Sequence, residues 1–112
     1  MRVGIAGYGL AGRVFHGPLL KGCGYHVASI LTSNPDRIAQ AKSDFPEAQI
    51  FSDLDAFLDS GLDLAVIASS NVAHLPQTRA ALERQIPTVV DKPMGRTVAE
   101  VKEMIDLSAT QN

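Results

Sequence analysis

Tryptophan is absent from this 112-residue chain, and cysteine occurs once, at Cys23. A lone cysteine excludes a disulfide within the chain and any multi-cysteine metal site, and it suits a reducing compartment. Long apolar runs are missing as well. The longest unbroken one is Leu64–Ala68, far short of the ~20 residues that a membrane span requires. Charge of one sign is not in excess: Lys and Arg total 10 against 12 Asp and Glu, a formal net charge of −2. The basic residues are scattered, whereas a nucleic-acid or anionic-membrane surface needs them clustered. Neither partner is expected, and no metal site is expected either. Arg2 ahead of an apolar stretch mimics a signal peptide, but the glycines that follow, then Arg13 and His16, make a poor apolar segment. The chain reads as cytoplasmic, without internal repeats or low-complexity segments.

What is present is 46% apolar residues, enough in a chain of this length for one domain with a core of its own. Strand-like runs alternate with helix-like segments. Arg2–Ala6, Tyr25–Leu31, Gln49–Phe51, Leu62–Ala68 and Ile86–Val90 read as five strands, with Pro87 near the start of the last, where a missing donor is tolerable. Between them stand helix starts. Ser33-Asn34-Pro35 offers a cap and an early proline before residues 36–42. Ser52 with Asp55 resembles a capping box, with Gly61 ending that helix. Residues 77–85 form a helix in which Asn71 or a neighbour caps and Pro76 belongs to the first turn. Thr97 with Glu100 opens a last helix whose apolar face is Val98, Val101, Met104 and Ile105. Gly17-Pro18 predicts a break in the first helix, between residues 12–15 and 19–21.

Such alternation implies an α/β fold: a doubly wound parallel sheet of Rossmann type, with helices on both faces. The expected strand order is 3-2-1-4-5, the sixth strand being missing.

The glycines decide what the fold is for. Gly7-Tyr8-Gly9-Leu10-Ala11-Gly12 follows the first strand and opens a helix, the context in which a Gly-x-Gly-x-x-Gly run carries meaning. Gly7 permits the tight turn, Gly9 lets main chain approach a pyrophosphate, and Gly12 lets helix pack on strand. The helix start offers free N–H groups to the phosphates. The ribose-reading position lies about 20 residues past the last glycine. Thr32 stands there, with Ser33 beside it and Arg37 one helical turn on. An acidic side chain would repel a 2′-phosphate, whereas these hydroxyls can donate to it and the guanidinium can pair with it, so NADP is favoured over NAD. The plainer alternative is that Ser33 or Asn34 caps the helix and Arg37 is a solvated charge.

Ligands on such sheets lie beyond the carboxyl ends of the strands. Two more segments leave that edge: Ser69-Ser70-Asn71-Val72-Ala73-His74 after the fourth strand, and Asp91-Lys92-Pro93 after the fifth. Together with the glycine turn, in this order and spacing, they resemble the N-terminal domain of the glucose–fructose oxidoreductase / inositol dehydrogenase (Gfo/Idh/MocA) family of NAD(P)-dependent oxidoreductases. The family's Asn-x-x-His stands as Asn71 to His74, and its Glu-Lys-Pro as Asp91-Lys92-Pro93. Asp91 replaces the usual glutamate, Ser70 stands where proline is common, and Thr32 replaces the acidic residue of NAD-preferring members.

The resemblance implies that Lys92 lies near the nicotinamide and the reacting hydroxyl of substrate, donating to its oxygen and relaying a proton. Pro93 would aim that lysine. Asp91 would hold its charge or meet the cofactor's amide and ribose, and His74 would close the nicotinamide end. His16 and His26 read as structural or surface residues, and His16, with Arg13 and Phe15 in the helix facing the cofactor crevice, has a substrate-side role as its alternative. Family members are much longer and carry a second domain that makes most substrate contacts. By this resemblance the chain is a truncated cofactor-binding domain lacking the C-terminal substrate domain, inactive alone. The full protein would move a hydride between NADP (or NAD) and a sugar, cyclitol or similar hydroxyl-bearing small molecule. Surface left bare by a missing domain, or an unpaired sheet edge, predicts homo-oligomers. Two other readings stand beside this one: a non-catalytic NAD(P)-sensing module, and a different ligand on the same fold, such as S-adenosylmethionine or coenzyme A.

Overall fold

A computed structural model describes residues 1–9, 11–91 and 97–111; Leu10, residues 92–96 and Asn112 lie outside the described residues. The strands are β1 (Arg2–Ala6), β2 (His26–Leu31), β3 (Gln49–Phe51), β4 (Leu64–Ile67) and β5 (Thr88–Val90). The helices are α1 (Gly17–Gly22), α2 (Pro35–Asp44), α3 (Leu54–Leu58), α4 (Asn71–Glu83) and α5 (Val98–Gln111). All strand pairs are parallel, in the order β3-β2-β1-β4-β5. This is the doubly wound order expected, and its reversal falls between β1 and β4.

Period-two alternation along the strands supplies two cores. Ala6, Leu31, Ala65 and Ile67 face α3 and α4, packing with Phe57, Leu58 and Ala81. Ile5, Val27 and Ile30 face the other way, packing with Leu20 of α1 and with Ala41 and Phe45 at the end of α2. Near-continuous burial of β1 and β2 is the mark of a sheet covered on both sides.

The caps differ in detail from the expectation. Asn34 caps α2, its Oδ1 accepting from the N–H groups of Asp36 (2.9 Å) and Arg37 (3.3 Å). Asp53 rather than Ser52 caps α3, accepting from the Ala56 N–H at 3.0 Å. Helix α4 starts at Asn71, so Pro76 sits past its first turn. Thr97 Oγ1 accepts from the Glu100 N–H at 3.2 Å, as the capping box requires. On α5 the apolar stripe divides: Met104 is buried while Val98 and Ile105 are exposed. Helix α5 lies on α4, where Arg79 pairs with Glu103.

The break predicted at Gly17-Pro18 is a change of helix type. Residues Ala11–His16 form a wide π-helical turn that passes into α1 at Gly17. Pro18 has no N–H to donate to the Val14 carbonyl, so regular α-helical bonding cannot run through this point.

Candidate functional site

Three connections leave the carboxyl edge of the sheet side by side, and the ladder of main-chain bonds fixes each base. The Gly7 N–H donates to Leu31 O at 2.8 Å, the Ala68 N–H to Ala6 O at 2.8 Å, and the Asp91 N–H to Ile67 O at 2.9 Å. Gly7 takes a φ of +95°, a conformation that side chains resist. A Cβ there would also fall 2.6 Å from Ser69 Cα. The glycine turn therefore lies directly against the loop after β4, at the point where the strand order reverses. A Cβ on Gly12 would fall 2.1 Å from the Gly7 carbonyl oxygen, which is the close helix–strand approach expected of the third glycine.

Gly9 is different. Its φ is unexceptional, and the nearest atoms a Cβ would meet are those of the Arg37 guanidinium, at 3.4 Å. That contact also locates Arg37: its charged end lies beside the middle of the glycine turn. Arg37 is exposed, and no carboxylate among the described residues pairs with it. Ser33 is exposed next to it, while Thr32 is 7% exposed and its N–H donates to Phe51 O. With Asn34 capping α2, Ser33, Asp36 and Arg37 are the exposed polar side chains at the end of β2. Thr32 is set mostly beneath them.

Tyr8 offers the crevice only its backbone. Its ring is 1% exposed, its hydroxyl donates to Asp44 Oδ2 at 2.7 Å, and Phe45 packs edge-on against it. Arg13 stands 3.6 Å from the same carboxylate oxygen. A hollow of about 490 Å³ bounded by Tyr8, Arg13, Pro18, Lys21, Asp44 and Phe45 opens here. It lies between the first helix and the end of α2, apart from the strand ends. Burial, and then the hydrogen bond to Asp44, hold the Tyr8 phenol well above its ordinary range. The unfolded chain loses this proton near pH 10 and the folded protein does not. Stability from Tyr8 is thus complete below that pH and is lost as pH rises beyond it. Tyr8→Phe is expected to lower stability by about 1 kcal/mol at pH 8 and to flatten the decline above pH 10. Urea midpoints at the two pH values check both effects.

After β4, Ser69 donates its hydroxyl to Gln77 Oε1, and His74 Nε2 lies 2.9 Å from the Ser69 carbonyl. With a carbonyl as acceptor, the ring nitrogen there carries the proton. His74 is 2% exposed, so it braces the loop from beneath. Ser70 is exposed at the cap position of α4, but its hydroxyl makes no capping bond. For Ala11 and Asn71 only the backbone is described. Leu10, Lys92 and Pro93, which the sequence places at the site, lie outside the described residues.

Asp91 gives the result that the sequence missed. Its Oδ1 lies 3.3 Å from the imidazole Nε2 of His16. The order of glycines and strands gives no sign of this pairing, because the wide turn that carries His16 is what sets its direction. Among the described residues no cluster of three His, Cys, Asp or Glu side chains could hold a metal, and no helix is long and apolar enough to cross a membrane.

Over residues 1–112 the sequence matches the family GFO_IDH_MocA, described as an oxidoreductase family with an NAD-binding Rossmann fold. The chain belongs to this family. The Gfo/Idh/MocA domain seen here is 38% identical over 106 residues to YdgJ of Escherichia coli (strain K12), an uncharacterized oxidoreductase, covering 93% of this chain and 30% of that protein. It is 36% identical over 102 residues to scyllo-inositol 2-dehydrogenase (NADP(+)) IolW of Bacillus subtilis (strain 168), covering 89% of this chain and 28% of that protein. Among solved structures, biliverdin reductase of Synechocystis sp. PCC 6803, in complex with biliverdin and NADP+, superposes with a TM-score of 0.89 at 25% identity, covering 98% of this chain and 35% of that one. The chain thus spans less than a third of the length of the two curated relatives.

Proposed function

We propose that this domain binds NADP, in preference to NAD, for an oxidoreductase acting on the CH–OH group of a sugar, cyclitol or related small molecule. The observation that carries the reading is Gly9. Among the described residues neither backbone conformation nor packing requires a glycine there, since the nearest atoms a Cβ would meet are those of the movable end of Arg37, at 3.4 Å or more. A bare main chain at that position is accounted for by a ligand that must come close. A pyrophosphate laid on the glycine turn would accept from the free N–H groups at the start of the following helix. The cofactor, when bound, supplies the site of hydride transfer.

The protein's own residues do the rest. Arg37 and Ser33 take the 2′-phosphate at the end of β2, the guanidinium through paired N–H donors. Ser69 and Ser70, at the start of α4, line the crevice beyond the glycine turn. Lys92, next in the chain to Asp91, is the proposed proton carrier to and from the substrate oxygen. The NADP(+)-dependent IolW supports both the cofactor choice and the substrate class. Self-association, where it occurs, would use the sheet edges at β3 and β5 or the exposed apolar side chains Phe15 and Leu19.

The test uses Gly9→Ala, with NADPH and NADH titrated side by side. The variant should keep the melting temperature of the parent yet bind NADPH roughly 10- to 100-fold more weakly, the worth of one or two charge-assisted bonds. Unchanged affinity in a folded Gly9→Ala protein would refute the docking mode.

A further inference from the structure

The contact between His16 and Asp91 crosses the crevice. Strand β4 stands between β1 and β5, so a bond from the helix after β1 to the first residue past β5 must pass over the end of β4. That is a reach of two strand spacings, each about 4.8 Å. Both ends are braced. Asp91 is pinned by its N–H to Ile67 O. Behind His16, buried Gly17 sits so tightly that a Cβ would fall 2.9 Å from Gly12 O and 3.2 Å from the Phe45 ring. The side chains of His16 and Asp91 are 20% and 33% exposed, sheltered yet reachable by a ligand in the crevice.

The position along the crevice matters. Ser33 and Arg37, at the end of β2, mark the adenosine end. His16 and Asp91 span the opposite end, and Asp91 leads directly into Lys92 in the chain. Resting on the dinucleotide reading above, we propose that His16 is a positioning residue for the nicotinamide half of the ligand. It holds the Asp91 carboxylate at a fixed distance from the glycine turn. In this view Asp91 works first on the imidazole, which explains why an aspartate rather than a longer glutamate suits the position.

The experiment titrates the purified protein with NADPH and with adenosine 2′,5′-bisphosphate, which carries the adenosine end alone. His16→Leu should weaken NADPH about five- to tenfold, as expected for one hydrogen bond to a carboxylate, and leave the bisphosphate unchanged. His16→Gln, whose amide nitrogen can donate from the same height as Nε2, should restore most of the NADPH affinity. Asp91→Asn added to His16→Leu should cost little more than His16→Leu alone. Equal weakening of both ligands by His16→Leu, or NADPH affinity untouched by it, would overturn the proposal. If the unmodified protein binds neither ligand, the dinucleotide reading fails and this one with it. If it binds both and the variants do not discriminate, only the role of His16 falls.

Discussion

Gly12→Ala should lose about 3 kcal/mol of stability or more, at the upper end of what overpacking costs. The added methyl would be placed 2.1 Å from the Gly7 carbonyl oxygen and 3.1 Å from its carbon. Neither atom can retreat. Gly7 is held in its positive-φ turn by the bond from its own N–H to Leu31 O, and Ser69 presses on its other side. Relief would require the first helix to lift away from β1 and uncover Ile5, Tyr8 and Ile30. For a domain of this size the loss corresponds to a fall of roughly 10–20 °C in melting temperature. Calorimetry of Gly12→Ala beside Gly9→Ala makes the comparison internal, since the same chemical change should be nearly silent three residues earlier. Melting temperatures within a degree or two of each other would show that the turn and helix are not packed as described.

Arg37→Ala should cost the protein about 10- to 100-fold in affinity for NADPH and nothing for NADH, the difference being one guanidinium–phosphate pair. Two observations support the size of the effect. The guanidinium already lies close to Gly9, within reach of a ligand laid on the glycine turn. It also has no carboxylate partner among the described residues to give up. Arg37→Lys should recover only part of the loss, because an ammonium keeps the charge without the paired donors. Fluorescence titration at two salt concentrations checks the assignment, since the NADPH-specific increment must shrink as salt rises. Equal losses for both nucleotides would move Arg37 from the 2′-phosphate to the pyrophosphate.

The fold was readable because its signals are local. Ala6, Leu31, Phe51 and Val90 end their strands where the apolar runs end, and each is followed by turn chemistry. Strand starts were less legible. Leu62 is apolar because it packs on Phe57 and its neighbours, not because it pairs, and the ladder begins only at Leu64. Ser52 and Asp53 are both good caps, and only the path of the chain chooses between them. The stripe on α5 looks the same whichever side is covered, so Met104 could not be told from Ile105.

The site divides in the same way. The glycine turn, Ser33 and Arg37 follow from spacing along one βαβ unit. His16 with Asp91 and Tyr8 with Asp44 join distant residues, and each depends on where an element ends up in space. The π-helical turn that aims His16 has no sequence signature beyond Gly17-Pro18, which marks a break without giving its direction.

The central place of β1 has a consequence for synthesis. Once made, β1 can take β2 on one side early, but its other neighbour, β4, does not exist until residues 64–67 have been made. Until then the main-chain N–H and C=O groups on that side of β1 wait unpaired, and closing so long a loop is slow. Conditions that pause translation between α2 and β4 should therefore be the ones under which newly made chains aggregate.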